Sequence, residues 1–213
     1  MKNKQLIIIG GGASIKEGIK KDLWKRLKNK FVCGINYSYR YFDSTYLCCM
    51  NYTDFYDTNR KELKQLPLVL IPSRPHPSIY EANTLAIYST SDYRLSGIFA
   101  LDVGLHLLDE GEVFLLGYDY GTINNKTHFY QGQIEHRGIG KSQYYNRPGH
   151  AERDFEIFKQ GKKVRIYNVS LDSKITTFPK ISYEEFFKKL NDKSYDQKKL
   201  VKSIRQKLDK VSC

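Results

Sequence analysis

Leu6-Ile7-Ile8-Ile9-Gly10-Gly11-Gly12-Ala13-Ser14 is the stretch whose reading decides the fold. Four consecutive aliphatic residues without polar alternation suit a strand buried on both sides, as in the middle of a parallel sheet. Lys16 to Lys28 follows, with Ile19, Leu23, Trp24 and Leu27 at the spacing of an amphipathic helix. A glycine-rich turn between a central strand and a helix sits where parallel sheets collect ligands, because backbone can approach closely and unpaired N–H groups favour anions. Gly10, Gly11 and Gly12 supply that approach, and Ser14 is placed to cap the helix or to bond a ligand oxygen. The turn therefore points to nucleotide or phosphate binding, although a plain tight turn would use the same residues. It lacks both the third glycine of the dinucleotide fingerprint and the Lys-Ser/Thr of a P-loop.

Working outward, apolar runs predict further strands at Phe31–Ile35, Tyr46–Met50, Pro67–Ile71, Glu112–Gly117 and Val164–Val169, with a short one near Leu85–Tyr88. Helical spacing marks Ser96–Leu108, Ala151–Lys159 and Tyr183–Leu190, the last beginning after Pro179 with Ser182 as N-cap. This alternation predicts an α/β, Rossmann-like, doubly wound and mostly parallel sheet. Residues 1–190 then form a nucleotide-binding catalytic domain. Residues 191–213 carry a basic C-terminal helix, with Leu200, Val201, Ile204 and Leu208 on one face, that docks on the sheet or meets a partner. The span 118–149 is rich in Gly, Asn, Tyr and His and lacks a hydrophobic period, which predicts a long lid loop, mobile without ligand.

With 213 residues, 40% of them hydrophobic, the chain can bury a substantial core. The net charge of +12 favours anionic partners such as phosphate-bearing molecules, nucleic acid, lipid surfaces or acidic glycans, and is equally compatible with a solvated lysine-rich surface. Cys33, Cys48, Cys49 and Cys213 match neither a zinc motif nor a disulfide scaffold and read as reduced, mostly buried thiols. Neither a signal peptide nor a membrane span is evident, so the expected location is cytoplasmic.

Other chemistry-bearing residues fall at the same predicted sheet edge. Asn36 follows the second strand, Asn51 and Asp54 the third, and Asp119 the Leu115-Leu116-Gly117 strand. Asparagine offers donors and an acceptor to a ribose or a base, and it also caps turns. His128 and His136 belong to the expected lid, where they could touch phosphate. His76 is flanked by prolines and His106 lies on a helix that reads as buried, both structural positions. A metal site from His128, His136, Asp119 and His150 has no diagnostic spacing.

The ordered series Gly10-Gly11-Gly12-Ala13-Ser14-Ile15-Lys16, Gly34-Ile35-Asn36, Met50-Asn51, Ser96-Gly97, Leu116-Gly117-Tyr118-Asp119-Tyr120, Thr127-His128 and Gly149-His150 resembles the bacterial CMP-sialic-acid-dependent sialyltransferases of the Campylobacter type. It is also similar to a related group of short phage proteins. The resemblance runs from about Leu6 to about Phe187. It implies a nucleotide-sugar donor, CMP-linked and used without a metal, bound near Gly11, Asn36, Asn51, Ser96, Gly97 and Gly117. It makes His150 the general base toward an acceptor hydroxyl, and puts Tyr120 and His128 near the departing phosphate. Gly11 stands where that family has an asparagine, and His128 where it has a tyrosine.

Two other readings compete. An archaeal pterin pyrophosphokinase family has a similar turn, and there Asp119 and Asp54 would hold Mg²⁺ against ATP phosphates. A non-enzymatic nucleotide-sensing or nucleic-acid-binding protein would use the basic helix Lys198–Lys210 as its contact. For a transferase, the charge suits a polyanionic acceptor, nucleic acid or acidic glycan; oligomeric assembly is compatible with any of these readings.

Overall fold

A computed structural model describes residues 1, 4–73, 80–87, 95–133, 148–158 and 163–209, with the backbone alone at 52, 53 and 148–151. Seven parallel strands form one sheet: β1 Lys4–Ile9, β2 Val32–Ile35, β3 Tyr46–Cys48, β4 Val69–Pro72, β5 Thr84–Ile87, β6 Gly111–Leu116 and β7 Val164–Asn168. Their order is β5-β4-β3-β2-β1-β6-β7. The expected Rossmann-like α/β fold is present, and the sheet is parallel at every pairing.

The aliphatic run of β1 serves both layers. Leu6 and Ile8 point into one core together with helix α4 (Ser96–Leu107), α5 (Pro148–Glu156) and α7 (Gln197–Asp209). Ile7 and Ile9 point into the other, with α1 (Ile15–Ile19), α2 (Leu23–Leu27), α3 (Thr58–Leu63) and α6 (Tyr183–Lys189). A strand flanked by helices on both sides has no polar face, hence no alternation in its sequence. Burying a side chain such as Ile8 contributes on the order of 2 kcal/mol.

Several local expectations change. The helix expected over Lys16–Lys28 is two five-residue helices, interrupted at Asp22, whose backbone is left-handed (φ 61°). Gly18 in the first of them lies against Tyr183; a Cβ there would fall 2.4 Å from Cε1 of that ring. Apolar spacing continued across the break because both pieces face the same core. His106 is exposed rather than buried: its Nδ1 lies 2.9 Å from the carbonyl of Asp102 on the solvent side of α4. The basic C-terminal helix docks on the sheet layer, with Leu200, Ile204 and Leu208 buried and Lys207 reaching both Asp109 and the Leu107 carbonyl. Cys33, Cys48 and Cys49 are free and buried, while Cys213 lies outside the described residues. No described helix is long and apolar enough to cross a membrane.

The first half of the expected lid is packed. Tyr118, Asp119, Thr127, Phe129 and Tyr130 are all buried. Asn124 and Asn125 both have positive φ (50° and 58°), and Ile123 and Lys126 exchange backbone hydrogen bonds of 3.0 Å, the geometry of a type I′ hairpin turn. The returning chain lies across the glycine turn: Phe129 N–H donates to Gly11 O at 2.9 Å. Residues 134–147, including His136, lie outside the described residues, as does His76.

Candidate functional site

From β1 the chain steps outward through β2, β3, β4 and β5, then returns along α4 to β6 on the opposite side of β1. The β1/β6 boundary is therefore the topological switch point, where the connections leave in opposite directions and open a crevice at the carboxyl ends of the strands. Gly10–Ser14 follows β1 there, and Gly117–Tyr120 follows β6, with Ile9 paired to Leu116. The start of α4 shares this edge, because the helix joins the carboxyl end of β5 to the amino end of β6.

Glycine is required in the turn for identifiable reasons. Gly10 N–H donates to Leu116 O at 2.8 Å and Gly12 N–H to Gly117 O at 2.9 Å, continuing the strand pairing past its end. A Cβ on Gly12 would lie 2.5 Å from both Gly117 O and Asp119 Oδ2. Gly117 is itself left-handed (φ 70°), a region that strains residues carrying a Cβ. Asp119 is 1% exposed and accepts the Ser14 N–H on Oδ2 at 2.8 Å. Much of the turn's donor capacity is thus used internally. The N–H of Gly11 makes no hydrogen bond to the described residues.

Asp119 is buried enough that its carboxyl is held above the usual carboxylate range, desolvation outweighing the help from Ser14 and Ser170. Its position is fixed from behind. Asn168 Nδ2 donates to Tyr118 O (3.2 Å) and to Ser173 Oγ (2.9 Å), and Ser173 Oγ donates to Tyr118 O at 2.7 Å. Lys174 N–H closes on Asp119 O at 2.7 Å.

A second group forms where β2 ends. Asn36 is left-handed (φ 47°), a conformation asparagine tolerates, and its Oδ1 accepts a 3.3 Å hydrogen bond from Ser96 Oγ at the first turn of α4. Its Nδ2 makes no hydrogen bond to the described residues. Gly97 admits the tyrosines: Tyr118 Oη donates to Gly97 O at 2.9 Å, and a Cβ on Gly97 would fall 2.9 Å from Tyr120 Oη. Tyr120 has φ 47° and packs edge-on against Phe155 of α5, with ring centroids 5.5 Å apart. The hydroxyl of Tyr118 is fully buried, and desolvation pushes its pKa well above 10.

Gly10, Gly11, Gly12, Gly117 and Asp119 thus meet at the switch point with His128, and Asn36, Ser96, Gly97 and Tyr120 share that edge. Ser14 belongs to the other layer: its buried hydroxyl lines a cavity on the α1 and α6 side. Asn51 caps the π-helix Tyr52–Asp57, its Oδ1 accepting from Asp54 N–H at 2.9 Å, and Asp54 receives its Nδ2 at 3.1 Å. The strand ends carrying Asp54 and Asp119 are three ladder spacings apart, about 14 Å, so the topology does not bring these carboxylates together. His128 lies over the turn, its Nδ1 2.9 Å from Thr127 Oγ1 and its ring 5.1 Å from that of Tyr130. The backbone of His150 starts α5; its side chain lies outside the described residues.

Sequence reasoning missed Tyr118, Tyr130 and Glu152. Glu152 ties α5 down, accepting from Thr176 N–H at 2.9 and 3.0 Å, Thr176 Oγ1 at 2.9 Å and Thr177 Oγ1 at 2.7 Å. Burial pushes its carboxyl upward, but these bonds prevail and lower it. The alternation Tyr118-Asp119-Tyr120 carried a signal, since it continues the two-residue strand period past Gly117. Among the described residues, no group of three or more His, Cys, Asp or Glu side chains is arranged to hold a metal ion.

No protein-family model, curated protein or solved structure matches the chain.

Proposed function

We propose that the protein is a glycosyltransferase-like enzyme that takes a sugar from a nucleotide-activated, CMP-linked donor and passes it to an acceptor hydroxyl. The observation that supports this most is the convergence of Gly11, Asn36, Ser96, Gly97 and Tyr120 on the carboxyl edge at the β1/β6 switch point, with hydrogen-bonding capacity left over at Gly11 N–H and Asn36 Nδ2. Backbone and amide donors of this kind suit a ribose, a base edge or a phosphate oxygen.

In this reading His150, at the start of α5, is the general base that takes the acceptor proton, an imidazole being suited to this near neutral pH. Tyr120 and His128 donate hydrogen bonds to the leaving nucleotide phosphate. The bond between the sugar's anomeric carbon and the phosphate oxygen breaks as the acceptor oxygen bonds to that carbon. The charge of +12 suits a polyanionic acceptor, nucleic acid or acidic glycan. In this assignment the protein works in the cytoplasm, where CMP-activated donors are to be sought.

Thermal-shift measurements with CMP, CDP, UDP, GDP and ATP, with and without Mg²⁺, test the reading. A stabilisation by CMP that does not depend on Mg²⁺ supports it, and an ATP response that requires Mg²⁺ replaces it with phosphoryl transfer.

A further inference from the structure

On the opposite layer from the crevice, α1, the 123–126 turn, the segment after β7 and the start of α6 enclose a cavity of about 540 Å³. Lys16, Lys20 and Lys126 all line it. Lys16 and Lys126 lie against each other, and partial burial together with the neighbouring Lys126 weakens the hold of Lys16 on its proton. Two like charges brought together by a backbone hairpin and a helix are unfavourable unless an anion sits between them. The carboxylates in the lining, Glu17 and Asp172, do not fill that role: Glu17 is engaged by Lys21 at 2.7 Å, and no salt bridge joins either of them to Lys16, Lys20 or Lys126 among the described residues.

The cavity lining also holds three buried hydroxyls. Ser14, Ser170 and Tyr183 are 7, 5 and 1% exposed, and none has a hydrogen-bond partner for its side-chain oxygen. The two serines stand beside Asp119, whose Oδ1 likewise has no hydrogen-bond partner, and Tyr183 stands beside Ser14. Buried hydroxyls are ordinarily hydrogen-bonded, so three left unpaired at one cavity point to an absent acceptor-rich ligand.

We propose that this cavity binds a phosphomonoester dianion, either free orthophosphate or the phosphate end of a small metabolite, between Lys16 and Lys126, with Ser14, Ser170 and Tyr183 donating hydroxyl hydrogens. A partly open cavity that ends in buried hydroxyls suits a compact phosphate end better than a continuous phosphodiester backbone, which tracks long basic grooves lined with stacking aromatic rings.

Isothermal titration of the full chain with sodium orthophosphate and with glycerol phosphate, at constant ionic strength set by chloride, tests the assignment. One saturable site is expected for either ligand, and the tighter of the two identifies the source. Lys16→Gln/Lys126→Gln should weaken it by about tenfold or more, tenfold corresponding to roughly 1.4 kcal/mol. Tyr183→Phe should weaken it several-fold with no loss of thermal stability, which separates ligand loss from misfolding. Titration of cytidine, which carries no phosphate, into the double lysine variant keeps the two sites apart: orthophosphate binding must be lost while the cytidine response, whatever its size, stays that of the parent chain. Absence of saturable phosphate binding, equal affinity in the double variant, a cytidine response altered by it, or preferential binding of a DNA oligonucleotide would each overturn the proposal.

Discussion

The Ser14 amide donates to Asp119 Oδ2 at 2.8 Å across the β1/β6 boundary, so the anion nearest the glycine turn is supplied by the protein itself. Asp119→Ala leaves that buried N–H unpaired and should cost about 1–3 kcal/mol in chemical denaturation, whereas Asp119→Asn keeps an acceptor and should cost less. The pH dependence has a definite sign. The folded-state pKa of Asp119 is raised, so between the unfolded and folded values the folded state binds the extra proton and stability falls as pH rises. The stability of the parent chain relative to Asp119→Asn should therefore decline as pH increases from about 4. A parent advantage that grows with pH would contradict the burial of this carboxyl.

Gly12 and Gly117 form one tight crossing. Gly117→Ala places a Cβ 2.8 Å from Ile15 Cγ1 and 2.9 Å from Gly12 N at a left-handed backbone. Strain and overpacking together should cost about 2–4 kcal/mol, read as a lower denaturation midpoint.

Gly11 and His128 are complementary in shape. A Cβ on Gly11 would lie 2.6 Å from His128 Cδ2 and 2.9 Å from Tyr130 Oη, both side-chain atoms able to yield. Gly11→Ala should destabilise by about 1 kcal/mol, and much less in a His128→Ala background. A double-mutant cycle in denaturant measures the coupling, and additive effects would show that the contact carries no energy.

Glu152 is a positioning residue for α5. Glu152→Ala removes four hydrogen bonds to Thr176 and Thr177 and should cost about 1 kcal/mol, the carboxylate being partly solvated. Because its pKa is depressed, this stabilisation is present above the ordinary glutamate pKa and is lost as pH falls through the folded-state value. If α5 carries the acceptor base, the same variant should lower turnover more than it changes CMP affinity, a split that a purely structural role does not produce.

Much of the fold was legible because buried parallel strands have an unmistakable composition. Leu6–Ile9 reads as a strand apolar on both faces, and Leu6 and Ile8 do point into one core while Ile7 and Ile9 point into the other. Segments failed where a turn depends on backbone conformation. Asn124-Asn125 is a type I′ signal hidden in a polar stretch, and without it the packed hairpin carrying His128 looked like part of a lid. Asp22 stops a helix whose apolar spacing continues beyond it. At the site, adjacency of Gly11, Asn36 and Ser96 to one edge follows from strand order, which alternating elements suggest. The direction in which Ser14 faces does not follow, since it is set by Asp119 and Tyr183 from distant parts of the chain.

The most direct measurement is calorimetric titration of CMP, without divalent metal, into the parent chain and into Asn36→Gly. Glycine keeps the positive φ of Asn36 at no steric cost and removes only the side chain, so folding should be preserved. In buffer with orthophosphate enough to fill the Lys16/Lys126 cavity, saturable 1:1 binding by the parent is expected, with a loss of about tenfold or more in the variant, the effect of one ligand hydrogen bond worth roughly 1.4 kcal/mol. No saturable CMP binding by the parent, or equal affinity in Asn36→Gly, would contradict a nucleotide site at the β1/β6 switch point.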